Sequence, residues 1–414
     1  MSMLGTWGTR IAVAAALASP GVAGAETRYA CSALDGGVWP VIEGAGGVFF
    51  DLETDLLSDA RLPGLVVEQI ARVSEVLAAR GTELIVVPVP TKGQLFPEAL
   101  GHAAGVYRFD PALARGLYRD TLLRLSEVGV IAVDAQAALR VDGNDWPVFR
   151  TDPRLTNTGI RQLAEAVAGV LPLTLGGNTR VETAGRVTVP SVKHLQVQSR
   201  CHLSLPPMET VAYDTVSLTS DARAAEVVLA TTGEMSGEGL VPGPLFANAL
   251  SRSVLHVESD GSALEAIVQV VAGDAFHTAP PKALVWVFPV GEDLARFGAR
   301  PFEEIGGLVA DRCGAGVTMT PDGDAWTVDV DLAGRDATLG LRVSLEDGAA
   351  ERVDFAFRGP DGQERRRSIV RQTPTERFLM PLDRTWPAGA SLVEVALVAD
   401  VDTPPSVSLC EVPG

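Results

Sequence analysis

The chain lacks several things that would assign it to a class at once. No stretch beyond its first two dozen residues is long and apolar enough to cross a bilayer, which takes roughly 20 apolar residues. It has no Cys-x-x-Cys pair and no clustering of its 5 histidines, so no metal site and no cofactor are expected. Cations are scarce: 34 Lys and Arg stand against 52 Asp and Glu, for a net charge of −18. An acidic surface repels phosphate backbones, so nucleic acid is not expected as a partner. Any other polyanion would need a local basic patch. Extended disorder is also excluded, because 46% of residues are hydrophobic and 21% charged, the proportions of a folded protein.

With 414 residues, the chain exceeds one ordinary core, and two domains are expected. Arg10, the apolar run Ile11 to Ala18 and the small-residue site Ala23-Gly24-Ala25 form a secretory leader over residues 1–25. Export to the periplasm is therefore expected. Four cysteines follow, Cys31, Cys201, Cys313 and Cys410. In an exported chain an even count suggests disulfides. Four cysteines allow three pairings, and one bridge per domain, Cys31 with Cys201 and Cys313 with Cys410, is the expected one.

Helical spacing over 64–80 is followed by Glu83 to Val89, a β-branched run of the kind buried on both faces of a parallel sheet. A helix from Asp110 or Pro111 to about Glu127, a strand from Gly129 to Asp134, and a helix capped by Asn157 come next. Residues 172–213 read as an excursion of irregular strands. Strand and helix then alternate through Ala225 to Ala230, Leu245 to Leu250, Val254 to Val257, 262–272 and Ala283 to Phe288. This is the pattern of a doubly wound α/β sheet. From Gly316 onward, short strands separated by Gly, Pro and Asp turns predict an all-β sandwich. The expected organisation is an α/β domain over 26–308 and a sandwich over 309–414.

Four blocks carry chemistry or its remnants. Val41-Ile42-Glu43-Gly44 precedes Gly47-Val48-Phe49-Phe50; Val87-Pro88-Val89-Pro90-Thr91-Lys92 ends a strand; Thr151-Asp152-Pro153-Arg154-Leu155-Thr156 opens a helix; and Pro280-Pro281-Lys282-Ala283-Leu284-Val285-Trp286 enters a late strand. In this order, with a β tail and these cysteines, the chain resembles the AlgX/AlgJ family of periplasmic polysaccharide O-acetyltransferase-like proteins, and its AlgX-like members in particular. The resemblance implies an SGNH-hydrolase-like domain followed by a carbohydrate-binding-module-like sandwich. It also implies a Ser nucleophile, a His base oriented by an Asp, and acetyl transfer to a sugar hydroxyl of an exopolysaccharide such as alginate.

The catalytic positions depart from that pattern. Asp152 matches the family's Asp, but Arg154 stands in place of His and Leu155 in place of Trp. Arginine stays protonated at any physiological pH and cannot serve as a base. The family's Leu-x-Gly-Thr-Ser reads Leu229-Ala230-Thr231-Thr232-Gly233 here, which puts Gly233 on the nucleophile. Its late Trp-Glu becomes Trp286-Val287. Thr232 and Ser236 are the nearest substitute hydroxyls, and His256 and His102 the candidate replacement bases.

For an acidic polysaccharide, the candidate contacts are Lys92 at a strand end and Trp326, Arg358, Arg365, Arg371 and Arg377 in the sandwich, with Trp386 nearby. Arginines beside aromatics suit carboxylate forks and sugar stacking. Three functions remain open: a catalytically degenerate homologue that binds an acidic exopolysaccharide, with other periplasmic assembly proteins as possible partners; an acetyltransferase or esterase with a substitute nucleophile; and a structural secreted protein.

Overall fold

A computed structural model describes residues 27–31, 40–100, 106–171, 179–217, 225–322, 325–332, 339–346, 348–359, 361–382, 391–398 and 404–413. The leader, His102 and Trp386 lie outside the described residues.

The β-branched run becomes the strand Glu83–Val89, in a five-stranded sheet that also holds Ile131–Ala132, Val227–Thr231, Val254–Glu258 and Ala283–Pro289. Every pairing in this sheet is parallel, and Ala283–Pro289 lies between Glu83–Val89 and Val227–Thr231. Parallel strands are buried on both faces because their crossovers place helices on both sides. Ile85, Val87, Leu229, Val285 and Val287 accordingly point into one core with helices Asn157–Val170 and Pro242–Leu250. Leu84, Val86, Val228, Trp286 and Phe288 point into another with helices Gly64–Ala79, Ala263–Ala272 and Arg300–Ala310. Trp286, read from sequence as part of an altered catalytic block, is 1% exposed. Its indole donates to the Ala263 carbonyl at 2.9 Å, which makes it a core residue.

Three local expectations change. The cap of helix Asn157–Val170 is Thr156, whose hydroxyl accepts from the Gly159 N–H. Asn157 is instead the first helical residue, and its amide donates to the carbonyls of Val211 and Gly239 at 2.9 Å each. The strand expected over Gly129 to Asp134 shortens to Ile131–Ala132, since only those two residues pair with the neighbouring strand. Strands Thr179–Thr188 and Glu209–Ser217 form a two-stranded antiparallel ribbon. Between them lies a helix missed in sequence, Val192–Cys201, capped by Ser191. Its apolar periodicity is weak because only His194 and Val197 of its residues are buried.

From Val317 onward the chain builds a four-stranded and a five-stranded antiparallel sheet. Phe355, Phe357, Leu341, Val343, Phe378 and Val395 fill the core between them. Strand Arg377–Pro381 faces two ways: Phe378 and Met380 enter that core, while Leu379 joins the cluster built by helices Ala263–Ala272 and Arg300–Ala310. The α/β and β parts therefore share apolar packing. Cys31 is bonded to Cys201 and Cys313 to Cys410, one bridge in each part.

Candidate functional site

In open parallel sheets, sites form beyond the carboxyl ends of the strands. Strand Val227–Thr231 delivers Thr232 and Gly233 there, and the segment ahead of helix Asn157–Val170 brings Asp152 and Arg154 to the same edge. The two meet directly: the Leu155 N–H donates to the Glu234 carbonyl at 2.8 Å. Gly159 lets the helix start press against the preceding loop, because a Cβ there would lie 2.1 Å from the Pro147 carbonyl oxygen.

Asp152 is 5% exposed, and its carboxylate is saturated. Oδ1 accepts from the Arg154 backbone N–H and from Arg154 Nε, each at 2.9 Å. Oδ2 accepts from Arg154 Nη2 at 3.1 Å and from the Ser191 hydroxyl at 2.5 Å. Burial pushes this carboxyl up, but the bonds from Arg154 and Ser191 outweigh it and leave its pKa below the ordinary 3.8. Arg154 spends its other donors on structure, Nη1 on the Ser236 carbonyl at 3.1 Å and Nη2 on the Pro190 carbonyl at 2.8 Å. Gly237, at φ +126°, leaves room for this guanidinium; a Cβ there would meet Arg154 Nη1 at 2.5 Å. The arginine thus ties three segments together, at the position where the family resemblance implies a base.

The hydroxyls nearby do not form a nucleophile–base pair. Gly233 opens a short 3-10 turn and has no side chain. The Thr232 hydroxyl donates to the Glu234 carboxylate, and the Ser236 hydroxyl donates to the Gly233 carbonyl at 3.1 Å. His256 Nε2 lies 2.8 Å from the Thr231 hydroxyl, but Thr231 is 1% exposed and cannot reach a substrate.

The other imidazole at this edge is His194, which sequence reasoning passed over. Its Nδ1 lies 2.8 Å from the Thr151 hydroxyl and its Nε2 lies 2.7 Å from Gln198 Nε2. Gln198 Nε2 also donates to the Leu205 carbonyl, so the His194 Nε2 accepts and the proton sits on Nδ1. Nδ1–H then donates to Thr151, the wrong direction for a base. Burial holds the His194 pKa below its ordinary value, against the pull of Asp152.

Comparison with known proteins identifies the family. The model of the family described as "SGNH hydrolase-like domain, acetyltransferase AlgX" matches residues 41–290. The chain belongs to the AlgX family. Among curated relatives, the probable alginate O-acetylase AlgJ of Pseudomonas aeruginosa is 26% identical over 54% of this chain and 63% of its own length. The alginate biosynthesis protein AlgX of Pseudomonas putida is 25% identical over 66% of this chain and 60% of its own. The chain thus spans about three fifths of the length of these relatives. Among solved structures, Pseudomonas aeruginosa AlgX superposes with a TM-score of 0.73 at 19% identity, covering 89% of this chain and 93% of that one. The O-acetyltransferase domain of Pseudomonas putida AlgJ superposes at 0.51 with 21% identity, covering 66% and 99%. At these identities the superpositions speak for the fold.

Within this AlgX-family framework, the expected sugar contacts scatter. Lys92 is 4% exposed; its ammonium donates to the Phe49 carbonyl at 2.9 Å and lies 3.8 Å from Asp55. Burial lowers its pKa, against the carboxylates of Asp55 and Asp152. It is an internal cation below the site rather than a surface contact. Arg371 is 7% exposed and pairs with Glu304, with Glu265 at 3.8 Å, across the contact between the two parts. Arg377 pairs with Asp274 and donates to the Ala272 carbonyl in the same contact. Both corrections have one cause: the strands over 364–381 run down into the helices of the α/β part, so arginines close in sequence do not share a face. Trp326 packs half-buried on the sandwich core, Arg358 pairs with Glu364 at 3.0 Å, and Arg365 is exposed.

Proposed function

We propose that this AlgX-family protein is a periplasmic, catalytically degenerate acetyltransferase homologue. It binds an acidic, alginate-like exopolysaccharide during that polymer's O-acetylation or assembly and transfers no acyl group itself. The polymer and its chemistry come from the names of the relatives. Loss of activity rests on one observation: the Asp152 carboxylate is fully occupied by Arg154 and Ser191 while the adjoining nucleophile position, Gly233, has no side chain. Removal of base and nucleophile leaves only residual transition-state binding, a loss of many orders of magnitude in rate.

Export fits the leader over residues 1–25 and two disulfides, which persist in oxidising compartments. Residues 26–308 form the SGNH-like domain in this reading, and 309–414 the carbohydrate-binding-module-like sandwich. The polymer presents a line of carboxylates, so a chain with net charge −18 needs a local cationic site to hold it.

Two measurements on the mature chain test the reading. Incubation with an activated acetyl ester, followed by intact-mass analysis, is expected to leave the protein unmodified, with hydrolysis at background. Titration with oligouronates is expected to give heat. An acetyl adduct on Thr232 or Ser236 would establish instead the working enzyme with a substitute nucleophile.

A further inference from the structure

Beside Thr151 and His194 opens a cleft of about 220 Å³, whose wall carries Arg28, Tyr29, Trp146 and Arg150. This volume suits one ring of a ligand rather than a drug-sized molecule. Its arginines differ in kind. Arg186 is paired with two carboxylates, Asp145 at 2.7 Å and Glu209 at 3.4 Å. Arg28 and Arg150 have no carboxylate within ion-pair distance among the described residues. Each is held by an aromatic ring instead: the Arg150 guanidinium carbon sits 4.8 Å from the centroid of Trp146, and that of Arg28 sits 5.5 Å from Tyr29. A ring face orients a guanidinium and leaves its in-plane N–H donors free. Among the described residues, the hydrogen bond of the Arg150 head is a long one, 3.4 Å to the Gly46 carbonyl.

The rings are themselves anchored. Trp146 packs on Phe96 with centroids 4.7 Å apart, and Tyr29 stacks on Phe49 at 6.2 Å. The short arm that carries Arg28 is pinned twice: Glu43 accepts from the Tyr29 and Cys31 N–H groups at 2.7 and 2.9 Å, and Cys31 is bonded to Cys201. Two cations are therefore built into one wall with no ion-pair partner of their own among the described residues, close enough that Arg28 acts with burial to lower the Arg150 pKa. Like charges placed together are unfavourable until an anion arrives. In a chain where acids outnumber bases 52 to 34, leaving both unpaired selects for an external carboxylate.

We infer that the Arg28–Arg150 cleft is the subsite that holds the carboxylate of one acidic sugar ring, with both guanidiniums donating to its oxygens. This deepens the binding reading above, on which it rests, and moves the anionic contact from the sandwich arginines to the edge of the α/β domain.

The test is calorimetric titration of the mature chain with a tetra-uronate, with a neutral gluco-tetraose as control. Arg150→Met and Arg28→Met are each expected to weaken the tetra-uronate Kd at least tenfold, and Arg150→Lys, which keeps charge but loses the fork, by less. Arg365→Met in the sandwich is expected to leave it unchanged, and gluco-tetraose to give no heat with any form. Equal tetra-uronate affinity in wild type, Arg28→Met and Arg150→Met overturns the subsite and leaves the binding reading standing. No heat with the wild type overturns both. Circular dichroism of each variant confirms that a weakened Kd reflects the site and not unfolding; a misfolded Arg150→Met passes the decision to Arg150→Lys and Arg28→Met.

Discussion

The Arg154 guanidinium lies fork-to-fork on the Asp152 carboxylate, with Nε to Oδ1 at 2.9 Å and Nη2 to Oδ2 at 3.1 Å. The family resemblance implies an aspartate at this place that orients a histidine; here Asp152 neutralises a structural cation. Arg154→Ala leaves that carboxylate buried with Ser191 as its one remaining side-chain donor, and removing one partner of a buried pair costs roughly 3–5 kcal/mol. The pair sits near the surface, so the lower end, about 3 kcal/mol, is expected in urea denaturation at pH 7. Because the Asp152 pKa is depressed in the folded state, its stabilisation is present above 3.8 and fades as pH falls through the lower folded value. Arg154→Ala should therefore also flatten the acid limb of the stability profile. An unchanged denaturation midpoint would remove the arginine from its structural role.

If only side chains were lost, restoring them should restore chemistry. A Cβ at Gly233 would meet only the Ser236 hydroxyl, at 3.9 Å, so serine fits. Gly233→Ser with Arg154→His adds a nucleophile and a base beside the Asp152 already present. Acetyl-ester hydrolysis by the double variant is expected about 10²-fold above wild type, the lower end of what a positioned base supplies, and neither single variant should rise. A silent double variant that folds normally would mean that the backbone of the site has drifted as well.

Glu292 offers a pH signature at the same sheet edge. Burial raises its pKa to about 7, with the Glu234 charge adding to the shift, while the Ala263 N–H, 2.7 Å away, opposes it. A raised folded pKa means that the proton favours folding. Stability from this group is full below the ordinary 4.5 and declines as pH rises towards 7, by up to roughly 3 kcal/mol. Glu292→Gln keeps an acceptor for Ala263 and is expected to remove this decline. Parallel pH profiles of wild type and variant, followed by denaturant midpoint between pH 4.5 and 7.5, would contradict it.

Arg371 is the electrostatic centre of the contact between the two parts. Its single charge, paired with Glu304 and near Glu265, partly offsets two carboxyls whose pKa values burial raises. Arg371→Ala is expected to destabilise by about 3–5 kcal/mol and to split the calorimetric melt into two transitions. Adding Glu304→Gln should recover part of the loss, since the stranded charge is then gone. A single transition at the wild-type Tm in Arg371→Ala would show that the apolar packing around Leu379 suffices.

Much of the α/β sheet could be read in advance because its signal is local. Glu83–Val89 is a continuous apolar run, and only a strand covered on both faces buries all of it. The sandwich announced itself through alternation and turns. Helix Val192–Cys201 did not, because it buries two of its residues and its start signal, Ser191, also serves Asp152. At the site, Arg154 and Gly233 were legible where the resemblance implies a base and a nucleophile. That Arg154 would fill the gap and consume both oxygens of Asp152 was not, since it depends on Pro190 and Ser236, 36 and 82 residues away.

What the amino-acid order alone determines here is which groups exist: strands able to be covered twice, cysteines for two bridges, a glycine and an arginine where a nucleophile and a base would be needed. Those follow from chemistry carried within a few residues. Which cations remain unpaired was decided by the tertiary structure. Arg371 and Arg377, prominent in the sequence, are spent inside the contact between the two parts, while Arg28 and Arg150, 122 positions apart in the numbering, share one wall. Charge pairing depends on distance through space, and folding sets that distance independently of separation along the chain.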